Sequence, residues 1–141
     1  MIMTRREARE AVFGLLFETD FHPEDSAEAI FEASCEAREI AENDYIRAAY
    51  FGALEHIEEI DNLIGENSRG WKTYRISGIV RAAMRLSVWE MLYGENIPAS
   101  VSINEALEIV KKFGDAKSKA FVNGVLNAVK ENIEASGKTL E

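Results

Sequence analysis

The chain is poor in the residues that staple or break a fold. Its 141 residues include one cysteine, Cys35, and two prolines, Pro23 and Pro98. A single thiol excludes an internal disulfide, and so few prolines leave room for long helices. No apolar run reaches the roughly 18 residues of a membrane span, and no segment reads as a signal peptide. A soluble, cytoplasmic protein with no membrane partner is expected. Catalytic equipment is missing as well. Neither His22 nor His56 has a serine or cysteine nucleophile placed by a motif, and no Gly-Lys-Ser/Thr follows Gly65 or Gly70 to cradle a phosphate. His56 with Glu59 falls short of the three or four ligands that a metal requires. The inventory therefore implies no enzyme, no metal and no cofactor.

What is abundant is helix-forming sequence: alanine, glutamate and leucine are plentiful and β-branched runs are short. Thr4 and Glu7 form a capping box that opens a first helix, with Ala8, Ala11, Val12 and Leu15 at helical spacing up to the His22-Pro23 break. Asp25 and Glu28 start a second, whose Ala27, Ile30, Phe31, Ser34 and Ala37 face inward. A third, long helix is expected from about Asp44 to Ile64. The polar segment Gly65 to Gly70 then separates two subdomains, about 1–66 and 71–141, of a single domain spanning 1–141. A fourth helix runs from about Ser77 to the Gly94 stop, a second capping box at Ser102 and Glu105 opens a fifth, and a sixth begins near Asp115 to Ser118. With a short piece at Trp71, these make an all-α fold of two packed helical bundles of about three helices each.

Charge is unevenly spread. The net formal charge is −9, from 16 basic and 25 acidic residues. Residues 21–70 hold thirteen acidic residues against Arg38, Arg47 and Arg69, so the acid excess sits in one block. Cations gather at two helix starts, Arg5, Arg6 and Arg9 in one and Lys117 and Lys119 around Ser118 in the other, where the helix dipole disfavours them. If the fold sets these starts side by side with their amides outward, they form an anion-binding rim. Lysines beside Phe121 would then suit single-stranded nucleic acid, cations meeting phosphates and the ring meeting a base. Asn123-Gly124 within an apolar helix suggests a buried hydrogen bond and a close helix crossing.

Several segments carry a resemblance: Arg5-Arg6-Glu-Ala-Arg9-Glu10, Trp71 to Ile76, Met84-Arg85-Leu86 to Glu90, IPASVSINEA from Ile97 to Ala106, KKFG and FVNGVL. In that order the chain resembles the NusB family over nearly its whole length. The resemblance implies an all-helical, non-enzymatic, RNA-binding transcription antitermination factor. It implies pairing with NusE, a ribosomal protein, and binding of the pair to single-stranded boxA RNA in nascent ribosomal transcripts, so that RNA polymerase reads through terminators. The implied RNA-binding residues are Arg5, Arg6, Arg9, Phe17, Lys117, Ser118, Lys119 and Phe121. Three positions depart from the family pattern: Glu7 in place of an arginine, Ala120 in place of a lysine, and Val80 in place of an acidic residue linked to the NusE side. Two alternatives stand beside this reading. One is a protein-only helical adaptor or homodimer working through the acidic block; the other is a NusB-like domain of the kind fused to ribosomal-RNA cytosine methyltransferases.

Overall fold

A computed structural model describes residues 3–38, 43–69 and 75–137. The short piece expected at Trp71 lies outside these. Seven helices account for the fold and no strand occurs among the described residues: α1 (Arg5–Thr19), α2 (Ala27–Arg38), α3 (Asp44–Glu55), α4 (Ile57–Glu66), α5 (Gly78–Tyr93), α6 (Ala99–Phe113) and α7 (Ser118–Ala135). The fold is all-α, as expected.

Local chemistry sets most of the starts. At α1 the Thr4 hydroxyl accepts from the Glu7 amide at 3.1 Å and the Glu7 carboxylate accepts from the Thr4 amide at 3.0 Å, so the capping box is real. Ser26, Asn43 and Ser77 accept in the same way from the amides of Ala29, Ile46 and Val80.

Three expectations are corrected. The long third helix is two helices, broken at His56, whose backbone leaves the helical region at φ −109° and ψ 25°. The break lets α3 pack on α1 and α5 while α4 turns to meet α5 and α7, and the His56 ring stacks on Tyr93 at 4.1 Å. Ser102 and Glu105 do not cap a helix, because α6 already begins after Pro98, whose carbonyl accepts from the Ser102 amide at 3.2 Å. Asn123 is exposed and, among the described residues, bonded within α7, where Asn127 donates to its carbonyl and side-chain oxygens. A Cβ built on Gly124 would meet nothing within 4 Å, so no helix crosses there.

Helix α5 is the axis of the core. Ten of its residues from Val80 to Met91 are buried, and α1, α3, α4, α6 and α7 all pack on it. A helix apolar nearly all round has to be enclosed. Contacts at its two ends fix direction: Arg9 of α1 reaches Glu90, and Asp20 after α1 reaches Arg81 and Arg85, so α1 runs antiparallel to α5. Helix α6 runs alongside α1 in the same direction, bridged by Arg6 to Glu105, Glu10 to Lys112, and Phe13 to Phe113.

Two helical glycines make opposite demands. At Gly52 an added Cβ would lie 2.4 Å from the Trp89 indole nitrogen, and Trp89 is itself buried. Gly52→Ala is expected to lose about 1–3 kcal/mol through that overlap. Gly124→Ala is expected to gain about 0.5–1 kcal/mol by removing backbone freedom at an open helical site. Urea unfolding midpoints of the two variants should move in opposite directions from the parent.

Candidate nucleic-acid interface

The arginines of α1 have three different environments. Arg9 is buried, its side chain 7% exposed, and donates through Nε to Glu90 at 2.8 Å and through a terminal nitrogen to Glu105 at 3.3 Å. Arg6 is exposed but forks onto Glu105 at 3.0 and 3.3 Å, and that hydrogen bond and charge raise its pKa. Arg5 is exposed with its Cζ 4.2 Å from the centre of the Tyr45 ring. Beneath them lies Glu90, 2% exposed, whose carboxylate accepts from Arg9 of α1, Tyr45 of α3 and the Ser102 hydroxyl of α6. Burial first, and Glu90 second, push the Tyr45 phenol well above the usual range for tyrosine, so it stays a neutral donor.

The expectation that Arg9 faces RNA is therefore corrected. Its charge is spent on two carboxylates inside the protein, and its backbone position orients Arg5 and Arg6 on the surface. Glu7, where the family pattern has an arginine, completes the α1 cap.

The other basic group stands at the start of α7. Lys117 is exposed, Ser118 and Lys119 are half-buried, and Phe121 is half-buried against the core. Lys117, Ser118 and Phe121, but not Lys119, line a concavity of about 310 Å³ with Arg75, Ile76, Val80 and the Asp115 carboxylate. Val80 is buried there at 5% exposure, so this position presents no side chain to a partner. Ala120 is exposed. The amides at this helix start do not all point outward to a ligand, because Asp115 accepts from the Ser118 amide at 3.0 Å and lies within 3.3 Å of its hydroxyl.

The two helix starts do not form one rim. The α7 start sits beside the beginning of α5, whereas the α1 arginines sit at its end. Nine residues of α5 separate the level of Arg81 from that of Glu90, about 13 Å along the axis at helical rise. Between the two ends lie residues that sequence reasoning set aside. Lys112 reaches Glu10 at 2.7 Å and Phe113 at 5.3 Å, and Lys111 shares its concavity with Arg6. Lysines in the last turn of a helix have an ordinary dipole explanation, which hides them from a search for anomalous cations.

Phe17 joins a different feature. Phe13, Phe17, Phe21 and Phe113 form a connected row, with centroids 6.2 Å apart from Phe13 to Phe17, 4.9 Å from Phe17 to Phe21 and 5.1 Å from Phe13 to Phe113. Phe21 is 63% exposed and Phe113 43%. Phe13 is buried and Phe17 half-buried, so the row runs from the core out to two exposed rings.

The profile of the NusB family matches residues 6–131. The chain belongs to the NusB family. It is 41% identical over 134 residues to the transcription antitermination protein NusB of Bacillus subtilis, covering 95% of this chain and all of that protein. It is 42% identical over 132 residues to the protein of the same name from Bacillus pumilus, covering 94% and 98%. Among solved structures, T. maritima NusB superposes with a TM-score of 0.83 at 32% identity over 93% of both chains. A crystal structure of the antitermination factors NusB and NusE in complex with double-stranded RNA superposes at 0.82, with 29% identity over 94% of this chain and 99% of that one.

For this NusB-family chain, the buried Glu90 network is testable on its own. Glu90→Ala would leave buried Arg9 with only its longer contact to Glu105 and the Tyr45 and Ser102 hydroxyls without their acceptor, and is expected to cost about 3–5 kcal/mol in urea unfolding. Lys112→Ala, removing an exposed pair, is expected to change stability by less than about 1 kcal/mol.

Proposed function

We propose that this chain is an RNA-binding transcription antitermination factor that acts with NusE on boxA-type single-stranded RNA in nascent ribosomal transcripts. The observation that carries the reading is the α7 start. Exposed Lys117 and nearby Lys119 have no ion pair among the described residues, and Lys117 shares a concave site with the Phe121 ring. Lysines there neutralise phosphates, and Phe121 offers its face to a base. Arg5 and Arg6 contact the backbone at the other end of the α1–α6 seam, with Lys111 and Lys112 between. A short run of nucleotides spans that distance.

NusE takes a separate surface in this reading, the aromatic row of Phe17, Phe21 and Phe113. That row is apolar and exposed, which suits a protein partner better than a phosphate backbone. The solved NusB–NusE–RNA complex, a structural neighbour over nearly the full chain, supports assigning both partners.

Titration of labelled boxA-type RNA, with and without NusE, at several salt concentrations tests the reading. About four phosphate contacts give an expected log-log salt slope near −3. Phe121→Ala is expected to cost ~1–3 kcal/mol of binding, and Lys117→Ala to flatten the slope by ~0.7. An absence of binding at low salt, even with NusE, overturns the proposal. For the protein partner, the double change Phe21→Ser and Phe113→Ser should abolish co-elution with NusE on gel filtration. Undiminished co-elution removes the aromatic row as its seat.

A further inference from the structure

Among the three arginines of α1, Arg5 is held differently from the others. Arg9 is taken up by Glu90 and Glu105 and Arg6 shares Glu105 with it, whereas Arg5 has no carboxylate partner among the described residues. What it has is a ring: its Cζ lies 4.2 Å from the centroid of Tyr45, which comes from α3, forty residues along the chain. A guanidinium seated on an aromatic face keeps its charge and leaves its N–H donors for an anion, while a carboxylate would consume both.

The ring is itself fixed from below. Its hydroxyl donates to buried Glu90, and its edge meets Trp89 with centroids 6.4 Å apart at 76°. Glu90 is held in turn by Arg9 at 2.8 Å and Ser102 at 2.8 Å. A rigid column thus runs from the core to one exposed cation.

Resting on the RNA-binding reading above, we infer that Tyr45 is a positioning residue of the RNA site: its ring, anchored on Glu90, seats Arg5 where its N–H groups meet a phosphate of single-stranded RNA. Arg5 then binds with little loss of side-chain freedom, because one arrangement is already selected. Tyr45 touches no RNA in this arrangement and acts only through Arg5.

A coupling experiment separates this role from a structural one. RNA binding of the full-length protein with NusE, on labelled boxA-type RNA, is measured for the parent, Arg5→Ala, Tyr45→Leu, the double variant and Arg5→Lys, with thermal melts alongside. Tyr45→Leu should weaken binding about two- to fivefold, the worth of an exposed cation–π contact, and should have no effect in the Arg5→Ala background. Arg5→Lys should also weaken binding, since a compact ammonium keeps the charge but loses the flat stacking surface. Tyr45→Phe, which keeps the ring, should retain most of the affinity. Equal losses from Tyr45→Leu in both backgrounds, or unchanged affinity in Arg5→Lys, overturn the inference. If Tyr45→Leu does not fold, the Arg5→Lys comparison decides alone. Failure of the parent to bind RNA would overturn the RNA reading and this inference together, whereas parental binding with additive variants overturns only the inference.

Discussion

The Glu90 carboxylate is the constraint on which the rest of the arrangement depends. Taking a carboxylate out of water costs several kcal/mol unless charge and hydrogen bonds replace the lost hydration. Here the replacements come from three other helices, through Arg9, Tyr45 and Ser102. Such a site does not tolerate a one-residue slip of any helix, because the slip would strand a buried charge. Apolar contacts along α5 supply most of the burial energy, but leucines and valines accept neighbouring registers far more readily than an ion pair does. The network therefore selects one alignment of α1, α3, α5 and α6 from several that would bury similar area.

That alignment dictates the surface. Because α1 is pinned to the end of α5 by Arg9 and to its beginning by Asp20, the arginines and the aromatic row are forced to opposite ends of α1. Helix α6 lies alongside in the same direction and continues through Gly114 to the cationic start of α7. A seam results, with Arg5 and Arg6 at one end, Lys111 and Lys112 in the middle, and Lys117 with Phe121 beyond. Acidic groups are interleaved with these cations, Glu10, Glu105 and Glu108 among them. Mixed charge along the seam limits long-range attraction for any polyanion, so the proposed RNA binding would rest on specific contacts rather than bulk potential in a chain of net charge −9.

The helices were legible in the sequence because their signals are local. Thr4 with Glu7, Ser77, and the apolar spacing of α5 and α7 each act within a few residues, and the structure contains them all. The site was legible only in part, because local signals do not say where a side chain goes next. Ser102 and Glu105 have the spacing of a capping box, yet their side chains serve Glu90, Arg6 and Arg9, partners about twelve and a hundred residues away. Arg9 looked as available as Arg5 because burial of an arginine follows from a partner that spacing cannot reveal. His56 breaks a continuous apolar pattern without any glycine or proline, since the pattern survives the break and only the packing of α4 on α7 requires it. Asn123 and Gly124 erred in the other direction: poor helix formers imply a tertiary reason, and among the described residues there is none.

The three α1 arginines, similar in sequence, show how one buried network makes unlike groups of like residues. Arg9 is given wholly to the core, Arg6 shares a surface carboxylate, and Arg5 rests on a neutral ring. The gradient runs from a charge fully consumed to one fully available over a single turn of helix. If each arginine had found a carboxylate, the end of α1 would be electrically quiet. If none had, three cations in a first helical turn would strain against the dipole and one another. Tyr45 resolves the conflict by anchoring a cation without neutralising it, and its own hydroxyl closes the hydrogen-bond demand of Glu90. Stability of the core and presentation of charge at the surface are in this way set by the same carboxylate.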